Sequence, residues 1–279
     1  MKPLNIELPT LMKRTKHKIA LLLLLLACGT AKAQVKLTQD TLATPIVGFS
    51  FGTAFASDKP SSENGIHDLY ENPLLNYGIE AGYKFKSNWF VMLDGSLTIG
   101  GDLRTPELRM PAAYSHDSLP IVIGTNGTDA EATSYYRSLS MRIGGGKIFT
   151  LGDRNPNSGI MLSMYGGILQ QKTVFMMNKE KAPQLQDDYA RIYDHKRRGF
   201  TLTESIGYWF MSNKSNFFNL HVTFEITQCW THSVRDYIID EVMGLHGPDN
   251  TKYFDLLYNI KLCWMFPLKG KTAYDYYFF

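Results

Sequence analysis

Phe218-Asn219-Leu220-His221-Val222-Thr223-Phe224-Glu225-Ile226-Thr227 alternates apolar and polar residues without a break. A strand sends successive side chains to opposite faces. The stretch therefore presents Phe218, Leu220, Val222, Phe224 and Ile226 on one side and Asn219, His221, Thr223, Glu225 and Thr227 on the other. The second face carries ionisable groups, so it is no ordinary core face.

The same period recurs along the chain. It predicts strands near 46–57, 76–86, 89–100, 134–148, 159–172, 199–211, 217–230 and 252–266. In the first, Val47, Phe49, Phe51 and Phe55 oppose Gly48, Ser50, Gly52 and Ala54. In the last, Phe254, Leu256, Tyr258, Ile260, Leu262 and Trp264 oppose Asp255, Asn259 and Lys261. The connections alternate between long (about 58–75, 101–133, 173–198, 231–251) and short (near 86–88, 151–158, 211–216).

A soluble β-sandwich also alternates, but its strands usually run about five or six residues. The predicted strands are longer. The apolar face also gathers Tyr83, Phe85, Trp89, Tyr208, Phe210, Phe218, Trp264 and Phe266 close to the short turns, where a membrane interface would hold them. The expectation is an all-β fold: an eight-stranded antiparallel transmembrane β-barrel over 45–267. Short turns would face the periplasm and four longer loops the cell exterior.

The N-terminus reads as an address. Lys13, Arg14, Lys16 and Lys18 precede an apolar run from Ile19 to Ala27, and Ala31-Lys32-Ala33 follows. That is the order of a secretory signal, cleaved between Ala33 and Gln34. The run is too short to span a bilayer, which takes about 20 residues. Leu25-Leu26-Ala27-Cys28 supports a second reading, in which Cys28 is lipidated. Met12 would start a signal of ordinary length. Residues 34–44 then form a periplasmic segment and 268–279 an aromatic periplasmic tail. The formal charge of +3 over 279 residues includes this basic leader. Without it the chain is near neutral, and no electrostatic case for nucleic acid remains.

The inward face would carry Glu80, Lys84, Asp94, Arg142, His221, Glu225, Asp255 and Lys261. An eight-stranded barrel is just wide enough for its own side chains to fill. A partnered polar network plugging the lumen is expected; a narrow ion path is the alternative. Glu204 breaks the pattern, sharing parity with lipid-facing Leu202 and Ile206. Three accounts stay open: a β-bulge turns it inward, it sits high enough to be wet, or the outer wall there touches another protein. Cys229 and Cys263 should lie far apart along the barrel and remain free thiols.

No catalytic, cofactor or metal constellation is recognisable. Gly144-Gly145-Gly146-Lys147 lacks the spacing of a phosphate loop. His116, His195, His232 and His246 fall in long loops, near Asp117, Ser118, Asp194 and Ser233, with no motif ordering them. The charged, tyrosine-bearing stretch from Asn178 to Arg198 reads as a solvated cap or a contact surface for protein or lipopolysaccharide. The expectation is not an enzyme.

The signal end Ala31-Lys32-Ala33-Gln34, the glycine-spaced aromatic strands and the terminal strand Tyr258–Pro267 resemble small outer-membrane β-barrel proteins of Bacteroidota. More distantly the pattern is similar to the barrel domain of outer-membrane protein A. The resemblance covers about 45–267 and transfers no functional residue. Asp40-Thr41-Leu42 and Asp117-Ser118-Leu119 resemble that phylum's O-glycosylation triplet. The expected function is that of an accessory subunit of an outer-membrane complex in assembly, secretion or transport. Its partners would be outer-membrane lipid, lipopolysaccharide and other outer-membrane proteins. A stand-alone surface or membrane-integrity barrel is the alternative; a rim enzyme acting on lipid and a narrow pore are weaker ones.

Overall fold

Alternation of this kind can be satisfied without exposed edges only if the sheet closes on itself. The computed structural model, which describes residues 41–114, 121–152, 155–178, 181–212, 218–236, 238–240 and 244–268, has that closure. In chain order its strands are β1 (Thr44–Ala56), β2 (Leu74–Lys84), β3 (Trp89–Asp102), β4 (Ala132–Thr150), β5 (Gly159–Met177), β6 (Arg197–Met211) and β7 (Asn219–Ser233). A small hairpin, β8 (Ile238–Asp240) and β9 (Gly244–His246), follows, then β10 (Lys252–Pro267). β1 to β7 and β10 form one closed antiparallel ring, in which β1 pairs with both β2 and β10. Among the described residues, no helix is long and apolar enough to cross a membrane.

The eight expected strands are the eight ring strands, shifted by a few residues at their ends. β5 runs on to Met177, past its expected end at 172. Lys172 points out and Gln171 and Thr173 point in, so the apolar signal stops while the hydrogen-bonded ladder with β4 continues. The signal reads lipid-like burial, and the ladder does not need it. Short helices at Ile66–Leu69, Pro106–Arg109 and Asp187–Tyr193, and the β8–β9 hairpin, lie in long connections that carried no periodic signal.

Inward glycines set the local bore. A Cβ on Gly144 would stand 2.8 Å from the Tyr165 ring, and one on Gly146 would stand 2.6 Å from the Ser163 Cβ. The Gly144–Gly146 run therefore makes room inside the ring.

The signal peptide (1–33), its Ala33/Gln34 cleavage site, Cys28 and residues 34–40 lie outside the described residues. So do His116, Asp117, Ser118 and the tail beyond Leu268. The described end of the N-terminal segment tucks into the short-turn mouth. Leu42 packs there beside Ile46 and Met265, and its N–H donates to Asn157 Oδ1 at 2.7 Å.

Candidate functional site

The ring is polar inside and apolar outside, the inverse of a water-soluble barrel. Phe49, Ile79, Leu93, Leu139, Ile143, Ile168, Ile206, Phe224 and Ile260 stand exposed on the outer wall. Near the short turns, Phe85, Trp89, Tyr208, Phe210, Phe218 and Trp264 are exposed on that same wall.

Inside, the lumen is filled in layers. The middle layer is ionic. Lys261 of β10 reaches three carboxylates: Glu80 at 2.8 Å, Asp94 at 3.0 Å and Glu225 at 2.7 Å. Arg142 of β4 binds Asp94 through Nε and Nη2 at 3.0 and 2.8 Å. Its Nη1 donates to Glu225 at 3.2 Å and to Thr203 at 3.1 Å. His221 completes the set, with Nε2 3.0 Å from Glu80 and its ring stacked on Trp209. Glu80 and Asp94 are directly opposed in register across β2 and β3, and Lys261 lies between them. Three carboxylates thus face two permanent cations.

Of the eight inward residues proposed from sequence, six join this network. Lys84 and Asp255 are also buried but stand outside it. Lys84 lies at the short-turn end and donates to Leu42 O and Asn157 Oδ1, both at 3.1 Å. Asp255 lies at the long-loop end and accepts the Ile66 N–H at 2.7 Å. Alternation places a side chain inside the ring, but height along the strand decides whom it meets.

Below the ionic layer, Ile46, Phe90, Met92, Met161, Trp209 and Met265 form an apolar layer. Above it lies a cavity of about 40 Å³ lined by Asn76, Ser96, Ser140, Thr201, Thr227 and Asn259. That is room for about one water. The long loops then fold over the mouth. Ile66, Leu69, Tyr70, Met110, Val122 and Leu185 pack on Leu74, Tyr136, Leu169 and Leu257 of the ring. The Tyr70 hydroxyl is 2.5 Å from Thr173 Oγ1.

Glu204 sits at the midpoint of β6 and faces outward, exposed. β6 pairs with β7 residue by residue from Arg197 to Met211, so the bulge that would have turned it inward is absent. Among the described residues it has no ion-pair or hydrogen-bond partner.

Cys229 and Cys263 are both buried and free. Glu80, His221 and Cys263 offer ligand atoms within 4.8 Å of one another, a set that could hold a metal by residue type. Glu80 is already engaged by Lys261 and His221, while His221 Nδ1 is buried without a hydrogen-bond partner. In the loops, Asp194 precedes His195, and Ser233 Oγ accepts from Arg235 Nε at 3.5 Å. Among the described residues, no hydrogen bond joins His195 or His232 to a serine. Burial, then the fields of Arg235, Arg197 and Arg109, push His195 well below the usual histidine range. A neutral histidine among three guanidiniums suits an anion better than a proton-relay role.

No family model matches the chain, and no curated protein does. Solved structures similar to it include Ail, the attachment invasion locus protein of Yersinia pestis, in complex with the heparin analogue sucrose octasulfate. That match is 12% identical over 80% of this chain and 97% of that one, at a TM-score of 0.33. The outer membrane protein OprG of Pseudomonas aeruginosa is 13% identical, over 82% and 98%, at 0.36. Neisserial surface protein A is 12% identical, over 79% and 97%, at 0.30. The barrel assignment rests on the strand order and register above, not on these values.

Proposed function

We propose that this chain is a non-enzymatic β-barrel of a Gram-negative outer membrane, closed to transport, acting as an accessory subunit of a larger outer-membrane assembly. An apolar outer wall with an aromatic band near the short turns supports insertion in lipid. On this reading the short turns face the periplasm, and the long loops meet lipopolysaccharide and the exterior. The filled lumen argues against a conducting role. Among the described residues, no hydrogen bond joins a loop histidine to a serine, which supports the non-enzymatic reading.

Glu204 carries the subunit reading. A lone carboxylate at mid-wall is costly in hydrocarbon, and intramembrane charges generally have partners. Met164, paired with Glu204 across β5 and β6, and Leu202 leave it on an apolar surface to which another membrane protein could bring a cation or donor. The test is photo-crosslinking in native membranes from Met164 or Gln228, with co-purification in mild detergent. A discrete cross-linked protein is expected, lost in Glu204→Leu. Recovery of a lone monomer, with no cross-link, would favour the stand-alone surface barrel instead. The loop cap, which packs on this chain's own ring, is the observation on that side.

A further inference from the structure

Arg197 is 2% exposed and sits inside the long-loop mouth of the ring. Its guanidinium stacks on Tyr253, 3.5 Å from the ring centroid, and Nη2 donates to Asn64 O at 2.6 Å. Its Nη1 is buried without a partner. No carboxylate oxygen of the described residues comes within ion-pair distance of it; Asp255 points its Oδ1 at the Ile66 N–H.

Two further guanidiniums and a neutral histidine lie in the same loops. Arg109 leaves the second loop and donates through Nη1 to Asn64 Oδ1, while its Nε is buried and unpartnered. His195, at the end of the third loop, buries an unpartnered Nε2. Arg235 of the fourth loop is spoken for, binding Asp249 at 2.9 Å. Arg197 Nη2 and Arg109 Nη1 both donate to Asn64, so the two guanidiniums meet at one residue, and the fields of both reach His195. The field of Asp255 reaches Arg197, but no carboxylate oxygen bonds its Nη1, and a buried guanidinium N–H without a partner is expensive.

We propose that this cluster in the long-loop mouth is a binding site for an oxyanion of the phosphate or sulfate class, held by Arg197 Nη1, Arg109 Nε and His195 Nε2. The tetrahedral anion has oxygens enough for all three donors and brings a negative charge to N–H groups that no carboxylate of the described residues reaches. Charge-assisted bonds of this kind are the strong ones. The seat lies beneath loops that order around Asn64, so binding also pins the first, second and third loops to one another.

The experiment uses the full chain in detergent in a phosphate-free chloride buffer. Inorganic phosphate and sulfate are titrated at constant ionic strength, read by calorimetry and by the unfolding temperature. Saturable binding with a rise in unfolding temperature beyond that of matched chloride is expected. Arg197→Gln and Arg109→Gln should each weaken it about tenfold or more. Arg109 is only half-buried, so its variant remains informative if Arg197→Gln fails to fold. A second arm titrates lipopolysaccharide and its dephosphorylated form. A response lost on dephosphorylation, without a response to inorganic phosphate, assigns the anion to a lipid headgroup. No specific effect of any of these anions, or equal binding by wild type and Arg109→Gln, overturns the site.

Discussion

Glu204 and Glu225 stand one register step apart on neighbouring strands and face opposite sides of the same wall. Glu225 points in, where Lys261 lies at 2.7 Å and Arg142 at 3.2 Å. Glu204 points out and meets no partner among the described residues. One carboxylate completes an internal network, and the other can be completed only from outside.

Glu204→Leu should therefore leave the isolated barrel intact and raise its stability by about 1–2 kcal/mol, since an acid on a lipid face costs somewhat less than a base there. Urea unfolding in lipid vesicles reads the gain. A loss of stability would mean that Glu204 has a role within the ring.

Lys261→Met removes the cation shared by three carboxylates. Breaking a buried ion pair in this one-sided way costs about 3–5 kcal/mol. The variant should unfold at clearly lower urea and shift from the compact to the extended band on unheated gels at lower temperature.

The purified protein should give no conductance steps in planar bilayers. Arg142→Ala should stay silent too, because the apolar layer around Phe90 and Trp209 lies below the ionic layer and is untouched by that change. Conductance in the single variant would show that the apolar layer does not seal.

Both thiols should resist maleimide in the folded protein and react after denaturation, since Cys229 and Cys263 are wholly buried. Mass spectrometry counts the adducts. Rapid labelling of either thiol in the native state would contradict the packing.

The loop cap should loosen on acidification in phosphate-free buffer. His195 binds its proton less readily folded than unfolded, so the unfolded state holds more protons as pH falls below about 6.5. Stability contributed here is present above that value and lost below it. Asp249 works in the opposite range. Burial alone would raise its carboxyl, but hydrogen bonds from Ser233 and Thr251 and the Arg235 pair hold it well below the usual range. Its contribution persists until strongly acidic pH. Limited proteolysis at pH 5 and 7.5 should show faster loop cleavage at pH 5, and His195→Gln should reduce the difference.

The ring was legible because each strand has one face against the lumen and one outward, and that contrast repeats every second residue. Glu204 was visible on the same ground, as a charge of outward parity at the middle of β6. The partners of the inward charges were not. Lys84 and Lys261 look alike as inward lysines, yet one caps Leu42 and the other binds three acids, because register and height set the meeting. The stretch from Asn178 to Arg198 read as a solvated cap, and its buried apolar side, Leu185 and Tyr193, was not legible. Ile66, Met110 and Leu185 come from three loops without periodicity and meet only once the ring has brought those loops together. The same holds for Arg109, Arg197 and His195.

Glu80 and Asp94 face each other on adjacent strands, and like charges in directly opposed positions disfavour pairing. Asp94 finds relief nearby, from Arg142 on the next strand. Glu80 has no partner until β10 and β7 arrive with the Lys261 cation and the His221 ring. A half-built sheet would thus carry an uncompensated acid through hydrocarbon. The β2–β3 hairpin is therefore expected to enter the membrane together with β7 and β10 rather than ahead of them.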